Sequence, residues 1–329
     1  MIDRLACLFF GVFVVTPAFA QSTPLPSWHD GPTRDNIINF VERVTTPGHP
    51  DFVPENERIA TFDNDGTLWC EFPVVQLAFV SASLQQMLPN HPEWKEDVAV
   101  QAVLDNNLDY FLKNGEQELA RMLALTHSGM TREEFRERVG EFFRAAKHPK
   151  YNVAVTQTAY QPMLELLNYL RSKGFQTWIC TGGGAEFVRV ISENTYGIPA
   201  QQVIGSIGGW KFENRDGKSV LVKTPELLLK NDKEDKPVGI AIQTGGTPIF
   251  ACGNVRSGGD IAMLEMARNN SRPNFQLLIH HDDEEREIAY GEKDNASLEA
   301  AKEQGWQVVS MKNDWKTIFP FQKEASNDR

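Results

Sequence analysis

The feature that most constrains the fold is a short, mostly apolar run, residues 59–62, which leads into two aspartates one residue apart, Asp63 and Asp65. The run is too short for a helix and is rich in β-forming residues, so it predicts a buried strand that ends in a turn. Side chains two positions apart near a strand end point the same way, so the two carboxylates should lie close together. Such a pair repels unless a divalent cation or a shared proton compensates. Gly66 allows a sharp turn, which the Thr67 side chain can fix by hydrogen bonding.

Strands and helices alternate in the second half of the chain. Strands are predicted over residues 175–180, 249–252, 275–280 and 306–311, with a hairpin over 203–222 that turns at Arg215-Asp216-Gly217. This alternation predicts an α/β fold with a Rossmann-like, mostly parallel sheet and helices on both faces. Sites in such sheets lie at the carboxyl ends of the strands, where Asp63, Thr181 and Asn254 are all expected.

Residues 74–148 contain no predicted strand. Helices are predicted from Pro73 to Leu88, from Pro92 to about Phe111, from Glu116 to Leu125 and from Thr131 to about Lys147. The fourth should open with a capping box of Thr131 and Glu134. A further helix is predicted over residues 185–196, after a turn at residues 181–184. Residues 74–148 therefore form a helical insert between two parts of one sheet.

The first 20 residues have the form of a secretory signal. Arg4 precedes an apolar run, Leu5 to Val15, and Ala18-Phe19-Ala20 has the small-x-small form of a signal-peptidase site. We expect cleavage before Gln21 and a periplasmic or secreted protein, with no membrane attachment after cleavage. The run is short for a membrane span, although a retained anchor is the alternative.

The net charge of −11 argues against nucleic acids and anionic membranes as partners. An anionic substrate would then need a local cation. Of the 4 cysteines, Cys7 lies in the signal, and the remaining odd number is a poor basis for a disulfide framework. Cys70, Cys180 and Cys252 are interpreted as small buried residues.

The segment Asp63-Asn64-Asp65-Gly66-Thr67 after an apolar strand resembles motif I of the haloacid dehalogenase (HAD) superfamily, in its phosphatase branch. The resemblance implies that Asp63 attacks phosphorus and forms an aspartyl-phosphate. It implies that Asp65 protonates the leaving group and then activates water. Dehalogenases of the superfamily lack the second acid, so Asp65 favours phosphoryl chemistry.

Two further segments resemble the phosphate-binding motifs of this superfamily. Thr181, followed by Gly182, resembles motif II, where a hydroxyl and backbone amides at a helix N-terminus would bind the phosphoryl group. A plain strand-to-helix turn is the alternative. Motif III is a lysine, for which Lys223, Lys230 and Lys236 are candidates. Lys236 is preferred because an apolar segment follows it directly.

Residues 250–254 and 260–264 resemble motif IV. Asn254 stands where the superfamily usually has aspartate, and the spacing to Asp260 is longer than usual. The resemblance implies a Mg²⁺ site formed by Asp63, Asp65 through its backbone carbonyl, Asn254 and Asp260. An amide oxygen adds no charge, so Mg²⁺ should bind more weakly than with a carboxylate.

The order of the motifs and the helical insert resemble the phosphoserine-phosphatase-like group with a C1 cap. The implied division is a signal at residues 1–20, a core at 21–73 and 149–329, and a cap at 74–148. Glu71 is either a substrate-facing residue, as in that group, or a salt-bridged residue. His280-His281-Asp282-Asp283 suggests either a metal site or, as we prefer, a polar strand-end loop near the site.

The resulting hypothesis is a secreted, Mg²⁺-dependent phosphomonoesterase that hydrolyses small phosphate esters. One alternative is a phosphotransferase of the same fold. The other is a non-catalytic binding protein on a degenerate fold, which the unusual Asn254 leaves open.

Overall fold

The computed structural model describes residues 24–107, 110–111, 116–256 and 258–322. The predicted signal and its cleavage site before Gln21 lie outside these residues. Within these ranges, none of the helices combines the length and the apolar character needed to cross a bilayer.

A seven-stranded sheet organises the fold, with strand order β4-β3-β2-β1-β5-β6-β7. The strands are β1 (Ile59–Phe62), β2 (Gln176–Gly184), β3 (Val203–Arg215), β4 (Lys218–Leu229), β5 (Phe250–Asn254), β6 (Phe275–His280) and β7 (Gln307–Ser310). Neighbouring strands are parallel except β3 and β4, which form an antiparallel hairpin. All four residues of β1 are buried, as expected for a central parallel strand that is covered on both faces. The predicted α/β class with a Rossmann-like sheet is confirmed.

Helices cover both faces of the sheet. The α-helices are α1 (Pro32–Thr45), α2 (Val75–Met87), α3 (Val98–Leu104), α4 (Glu116–His127), α5 (Arg132–Ala145), α6 (Gln161–Ser172), α7 (Ala185–Val188), α8 (Ser192–Tyr196), α9 (Asp235–Thr244), α10 (Ile261–Arg268), α11 (Ala296–Gln304) and α12 (Met311–Asp314). Successive strand residues face opposite sides. Cys252 therefore packs with α1 and α6, whereas Ala251 packs with α9 and α10.

The helices α2 to α5 lie within residues 74–148, between β1 and α6, and no described residue of that range belongs to a strand. They bury a small apolar cluster of their own, which includes Leu77, Leu84, Val100 and Met122. The predicted capping box is present, because the Thr131 hydroxyl accepts from the backbone N–H of Glu134 and the Glu134 carboxylate accepts from that of Thr131. We call residues 74–148 the helical segment.

The second predicted helix of this segment is wrong in its extent. Residues Pro92–Glu96 form a 3₁₀ helix, and α3 starts only after Asp97. The Asp97 carboxylate accepts hydrogen bonds from the backbone N–H groups of Ala99 and Val100, so it caps a new helix. This helix ends at Leu104, before the predicted Phe111.

The predicted turn at residues 181–184 is also wrong, because β2 continues through Gly184. Gly184 pairs with Ser206 of β3 after a shift in register, and its N–H donates to the Gln76 side chain of α2 at 3.0 Å. A hydrogen-bonded neighbour strand thus keeps these glycines extended. The helix predicted over residues 185–196 is divided into α7 and α8, with four and five residues.

The β3–β4 hairpin turns at Asp216 and Gly217, as predicted, but extends beyond Val222 to Leu229. Its outer strand is held to the helical segment by main-chain hydrogen bonds. The Gly129 N–H donates to the Lys223 carbonyl at 2.9 Å, and the Lys223 N–H donates to the Met130 carbonyl at 2.8 Å. We call this pairing the hairpin clasp.

Candidate active site

Asp63 continues the line of β1 and is 7% exposed. Its N–H donates to the Cys252 carbonyl at 2.9 Å, so the ladder between β1 and β5 extends by one residue. The chain then turns, and the Asn64 carbonyl accepts from the N–H groups of Thr67 and Leu68 at 3.2 and 2.8 Å. The Thr67 hydroxyl, predicted to fix this turn, is buried without a partner, so the backbone fixes the turn instead.

Gly66 occupies a position that only glycine fits. Its φ is +70°, in the left-handed region, and a Cβ there would lie 1.9 Å from Asn254 Nδ2 and 2.5 Å from the Tyr290 hydroxyl. The turn after Asp65 is therefore packed directly against the end of β5.

The second aspartate, Asp65, is held by Trp69. The indole Nε1–H of Trp69 donates to Asp65 Oδ1 at 2.9 Å. Burial raises the pKa of Asp65 and outweighs this hydrogen bond, which lowers it. A carboxyl group that keeps its proton longer than usual is suited to donate that proton to a leaving group.

Lys236 lies between two buried carboxylates. Its Nζ is 2.6 Å from Asp63 Oδ1 and 2.5 Å from Asp260 Oδ1. It is 3% exposed and lies in the first turn of α9, as predicted for the preferred motif III lysine. Burial disfavours the charged ammonium, but the charges of Asp260 and Asp63 outweigh this effect and raise the pKa of Lys236.

The other two lysine candidates lie in β4 or directly after it. Lys223 lies in β4 over the rings of Phe135 and Trp210, with its Nζ 4.3 and 4.7 Å from their centroids. Lys230 directly follows β4.

The surroundings of Asp63 disfavour its negative charge. Burial and the negative charge of Asp260 raise its pKa to about 8, against the opposing effect of Lys236. The ionised form is the one that can act as a nucleophile. A second cation beside Asp63 would therefore favour the reactive form.

Asp260 is brought to the site in spite of its longer spacing from Asn254. Its Oδ2 accepts from the Asn254 N–H at 3.0 Å, while its Oδ1 binds Lys236. A Cβ on Gly253 would lie 2.4 Å from the Asp260 Cβ, so glycine permits this approach. Gly258, with φ +64° and its N–H bonded to Glu292, helps the longer loop to return.

The Asn254 side chain is part of a polar cluster. Its Nδ2 donates to Glu71 Oε2 at 3.2 Å and to the Tyr290 hydroxyl at 3.1 Å. Glu71 also pairs with the Arg256 guanidinium, which lies 4.8 Å from the centroid of the Phe72 ring. Glu71 is therefore salt-bridged, and its partner lies in the loop after β5.

Thr181 lies in β2, the neighbour of β1, and is 1% exposed. Its Oγ1 accepts from the Gly183 N–H at 3.0 Å, so its hydroxyl hydrogen is available to another acceptor. A Cβ on Gly182 would lie 3.1 Å from Asp232 Oδ1, which places a further carboxylate beside this strand end. The glycines after Thr181 lie in β2 rather than at a helix N-terminus, and α7, which follows them, has only four residues.

The donor set of this site fits Mg²⁺. The described residues contain no group of three His, Cys, Asp or Glu side chains placed for a metal ion. The predicted site instead combines the carboxylate of Asp63 with neutral oxygens of Asp65 and Asn254, and Mg²⁺ prefers such hard donors. Because the carboxylate of Glu71 only accepts hydrogen bonds, it fixes the Asn254 Nδ2 and leaves Oδ1 for a cation. Both oxygens of Asp260 already accept hydrogen bonds from the protein.

The histidines and aspartates after β6 do not form a metal site of their own. The ring nitrogens of the buried His281 bind the Gly66 carbonyl and Glu287. Asp282 accepts from Ser310 and Lys312, and Asp283 pairs with Arg286. The interpretation as a polar strand-end loop agrees with these contacts.

Sequence reasoning gave no role to Trp69, Arg256 and Tyr290, and it named His281 only as part of a strand-end loop near the site. The spacing of four residues between Asp65 and Trp69 was a usable local signal. The contacts of His281 with Gly66 and of Tyr290 with Asn254 join distant parts of the chain and have no such signal.

Comparison with protein families identifies the family of this chain. The family model for haloacid dehalogenase-like hydrolases matches residues 60–265, which is more than half of the chain. No curated protein matches the sequence. The predicted enzyme class, a phosphatase of the HAD type, is confirmed at the level of this family.

Solved structures are similar to this chain at low sequence identity. A conserved functionally unknown protein from Anaerococcus prevotii is 14% identical, with a TM-score of 0.54 over 84% of this chain and 91% of that one. A protein with unknown function from Bordetella pertussis is 18% identical, with a TM-score of 0.49 over 77% of this chain and 98% of that one. A phosphoserine phosphohydrolase-like protein from Francisella tularensis is 15% identical, with a TM-score of 0.42 over 83% and 100% of the two chains. From the family match and the site geometry together, the chain belongs to the haloacid dehalogenase-like hydrolase family.

Proposed function

We propose that this protein is a Mg²⁺-dependent phosphomonoesterase that hydrolyses small phosphate esters through an aspartyl-phosphate on Asp63. The observation that carries the proposal is the buried Lys236 ammonium, which lies within 2.6 Å of oxygens of both Asp63 and Asp260. A fixed cation beside the nucleophile is what a doubly negative substrate requires in a protein of net charge −11.

In this proposal each side chain of the site has a defined role. Asp63 attacks phosphorus while Lys236 and the Thr181 hydroxyl, with the backbone near Gly182, bind the phosphoryl oxygens. Asp65, oriented by Trp69, gives its proton to the departing alcohol and then takes one from the water that cleaves the acyl phosphate. When bound, Mg²⁺ supplies positive charge that reduces the repulsion between the carboxylate and the phosphate.

The helical segment is proposed to act as the cap of this site, over a core of residues 21–73 and 149–329. Support comes from Gln76 of α2, whose Oε1 accepts the Gly184 N–H at the end of β2. The burial of Asp63, Asn254 and Asp260 favours small esters over polymeric ones. The charge of the protein argues against nucleic-acid substrates, as before.

We also propose that the protein acts outside the cytoplasm, in the periplasm or after secretion. The support is the sequence alone, namely the apolar run that ends in Ala18-Phe19-Ala20.

The test is a phosphate-release assay over a panel of small phosphomonoesters, including phosphoserine, with Mg²⁺ and with EDTA. We expect turnover that requires Mg²⁺ and that disappears in Asp63→Asn. Asp282→Asn is the matched control, since Asp282 also follows a strand but binds Ser310 and Lys312 rather than Lys236. Wild-type turnover in Asp63→Asn would exclude Asp63 as the nucleophile.

The same protein preparation can be used to test two rival functions. A phosphotransferase would give a phosphorylated alcohol when glycerol is added, whereas a phosphatase releases mainly inorganic phosphate. A binding protein would show no Mg²⁺-dependent release from any ester, and Asn254 is the residue that motivates this rival.

A further inference from the structure

A buried histidine lies directly beneath the turn that carries Asp65. His281 follows β6 and is 1% exposed, and its Nε2 is 2.7 Å from the Gly66 carbonyl oxygen. A carbonyl oxygen only accepts, so Nε2 carries a hydrogen and donates it.

Glu287 holds the other side of the imidazole. Its Oε2 is 3.4 Å from His281 Nδ1 and also accepts the Ile288 N–H at 2.7 Å. Its Oε1 accepts from the Tyr160 hydroxyl at 3.2 Å, and Glu287 is 1% exposed. The carboxylate is thus fixed by several donors and can fix the ring in turn.

His281 also contacts the element that orients Asn254. Its ring stacks on Tyr290, with centroids 4.2 Å apart and planes at 19°. The Tyr290 hydroxyl accepts from Asn254 Nδ2. One side chain therefore touches the motif I turn and the ring that supports the proposed metal ligand.

We propose that His281 is a positioning residue of this site, which holds the Gly66 peptide and through it the backbone of Asp65, and that Glu287 orients it. This inference rests on the proposed phosphatase function. Gly66 has no Cβ and a left-handed φ of +70°, so the His281 hydrogen bond replaces the restraint that a side chain would give. Misplacing the general acid by a fraction of an ångström lowers kcat rather than substrate binding.

Two substitutions separate positioning from mere packing. In His281→Gln the amide nitrogen can occupy the place of Nε2 and keep the bond to the Gly66 carbonyl. In His281→Asn the shorter amide can reach only the place of Nδ1 and keep the contact with Glu287. Both variants lose the aromatic ring and its stacking on Tyr290, and they differ from each other by one methylene.

The measurement is kcat and KM for phosphate release at saturating Mg²⁺, normalised to folded protein by circular dichroism. We expect His281→Asn to lower kcat by about tenfold or more with KM unchanged, and His281→Gln to restore most of the rate. Equal kcat values for the two variants would overturn the positioning role, because only the glutamine can keep the hydrogen bond to the Gly66 carbonyl.

Failure of the underlying function gives a different result. If wild-type protein releases no phosphate from any ester, the phosphatase proposal fails and His281 loses this role with it. Should His281→Asn not fold, Glu287→Gln replaces it, since its amide group adds donors that compete with those of His281, Tyr160 and Ile288. A lowered kcat with unchanged KM would support the proposal, and an unchanged kcat would overturn it.

Discussion

Replacing His127 with leucine should remove part of the protein's sensitivity to acid. His127 ends α4 and packs between Phe79 and Phe135, with ring centroids 5.5 and 4.9 Å away. Its Nε2 is buried without a partner. Burial, together with the charges of Lys223 and Arg138, lowers the pKa of His127 from 6.5 to about 3.

The direction of the pH effect on stability follows from the lowered pKa of His127. Below pH 6.5 the unfolded chain takes up a proton at His127, whereas the folded protein does not until about pH 3. The stability that the neutral ring contributes is therefore fully present above pH 6.5 and is lost as the pH falls towards 3. Each unit of pKa difference corresponds to about 1.4 kcal/mol, so the free energy of unfolding should fall by up to about 2 kcal/mol between pH 7.5 and 5 through this residue alone.

Urea unfolding of wild-type protein and His127→Leu at several pH values measures this contribution. The difference between the two free energies of unfolding should change by up to about 2 kcal/mol in favour of the variant on going from pH 7.5 to 5. His29→Leu, which removes an exposed histidine, controls for the general loss of a titrating ring. Parallel pH profiles for wild type and His127→Leu would refute the argument.

Four other predictions follow from the site and the N-terminus. Asp65→Asn should bind phosphate analogues but turn over at least ~10²-fold more slowly, and a smaller loss in kcat would argue against general acid catalysis. Lys236→Met leaves two buried carboxylates without their cation. This variant should lose its activity and about 3–5 kcal/mol of stability in urea unfolding, and wild-type stability would contradict the ion-pair network. In Mg²⁺ titrations of the rate, Asn254→Asp should lower and Asp260→Ala should raise the concentration needed for half-maximal rate, and unmoved curves would remove that segment from the metal site. Intact mass of exported protein should place the N-terminus at Gln21, a site that a species retaining the preceding residues would contradict.

The parts of the fold that sequence could predict are governed by local patterns. Residues 59–62 alternate between two covered faces and are mostly apolar, so their strand could be predicted without knowing their neighbours. The preference for Lys236 rests on the apolar segment that follows it, and that segment is α9, which turns one face to the sheet. Thr131 and Glu134 cap a helix through contacts three residues apart.

The parts that escaped prediction depend on contacts between distant residues. Nothing near Gly184 indicates that Ser206 and Gln76 will keep it extended, and a run of glycines is equally compatible with a turn. The pairing of Glu71 with Arg256 likewise depends on how the loop after β5 returns to motif I. The function of Glu71 could therefore not be chosen from its position alone.

The hairpin clasp has a consequence for any attempt to excise the helical segment. The outer edge of β4 is occupied at Lys223 because Gly129 and Met130 bond to both of its main-chain polar groups. Without residues 74–148 these groups would lose their partners. Leu227 and Leu228 of the same strand are already 52% and 67% exposed. An uncovered strand edge with apolar neighbours pairs readily with another copy of itself. A truncated core built to study substrate selectivity would therefore self-associate through β4 unless a charged residue or a proline is placed on that edge.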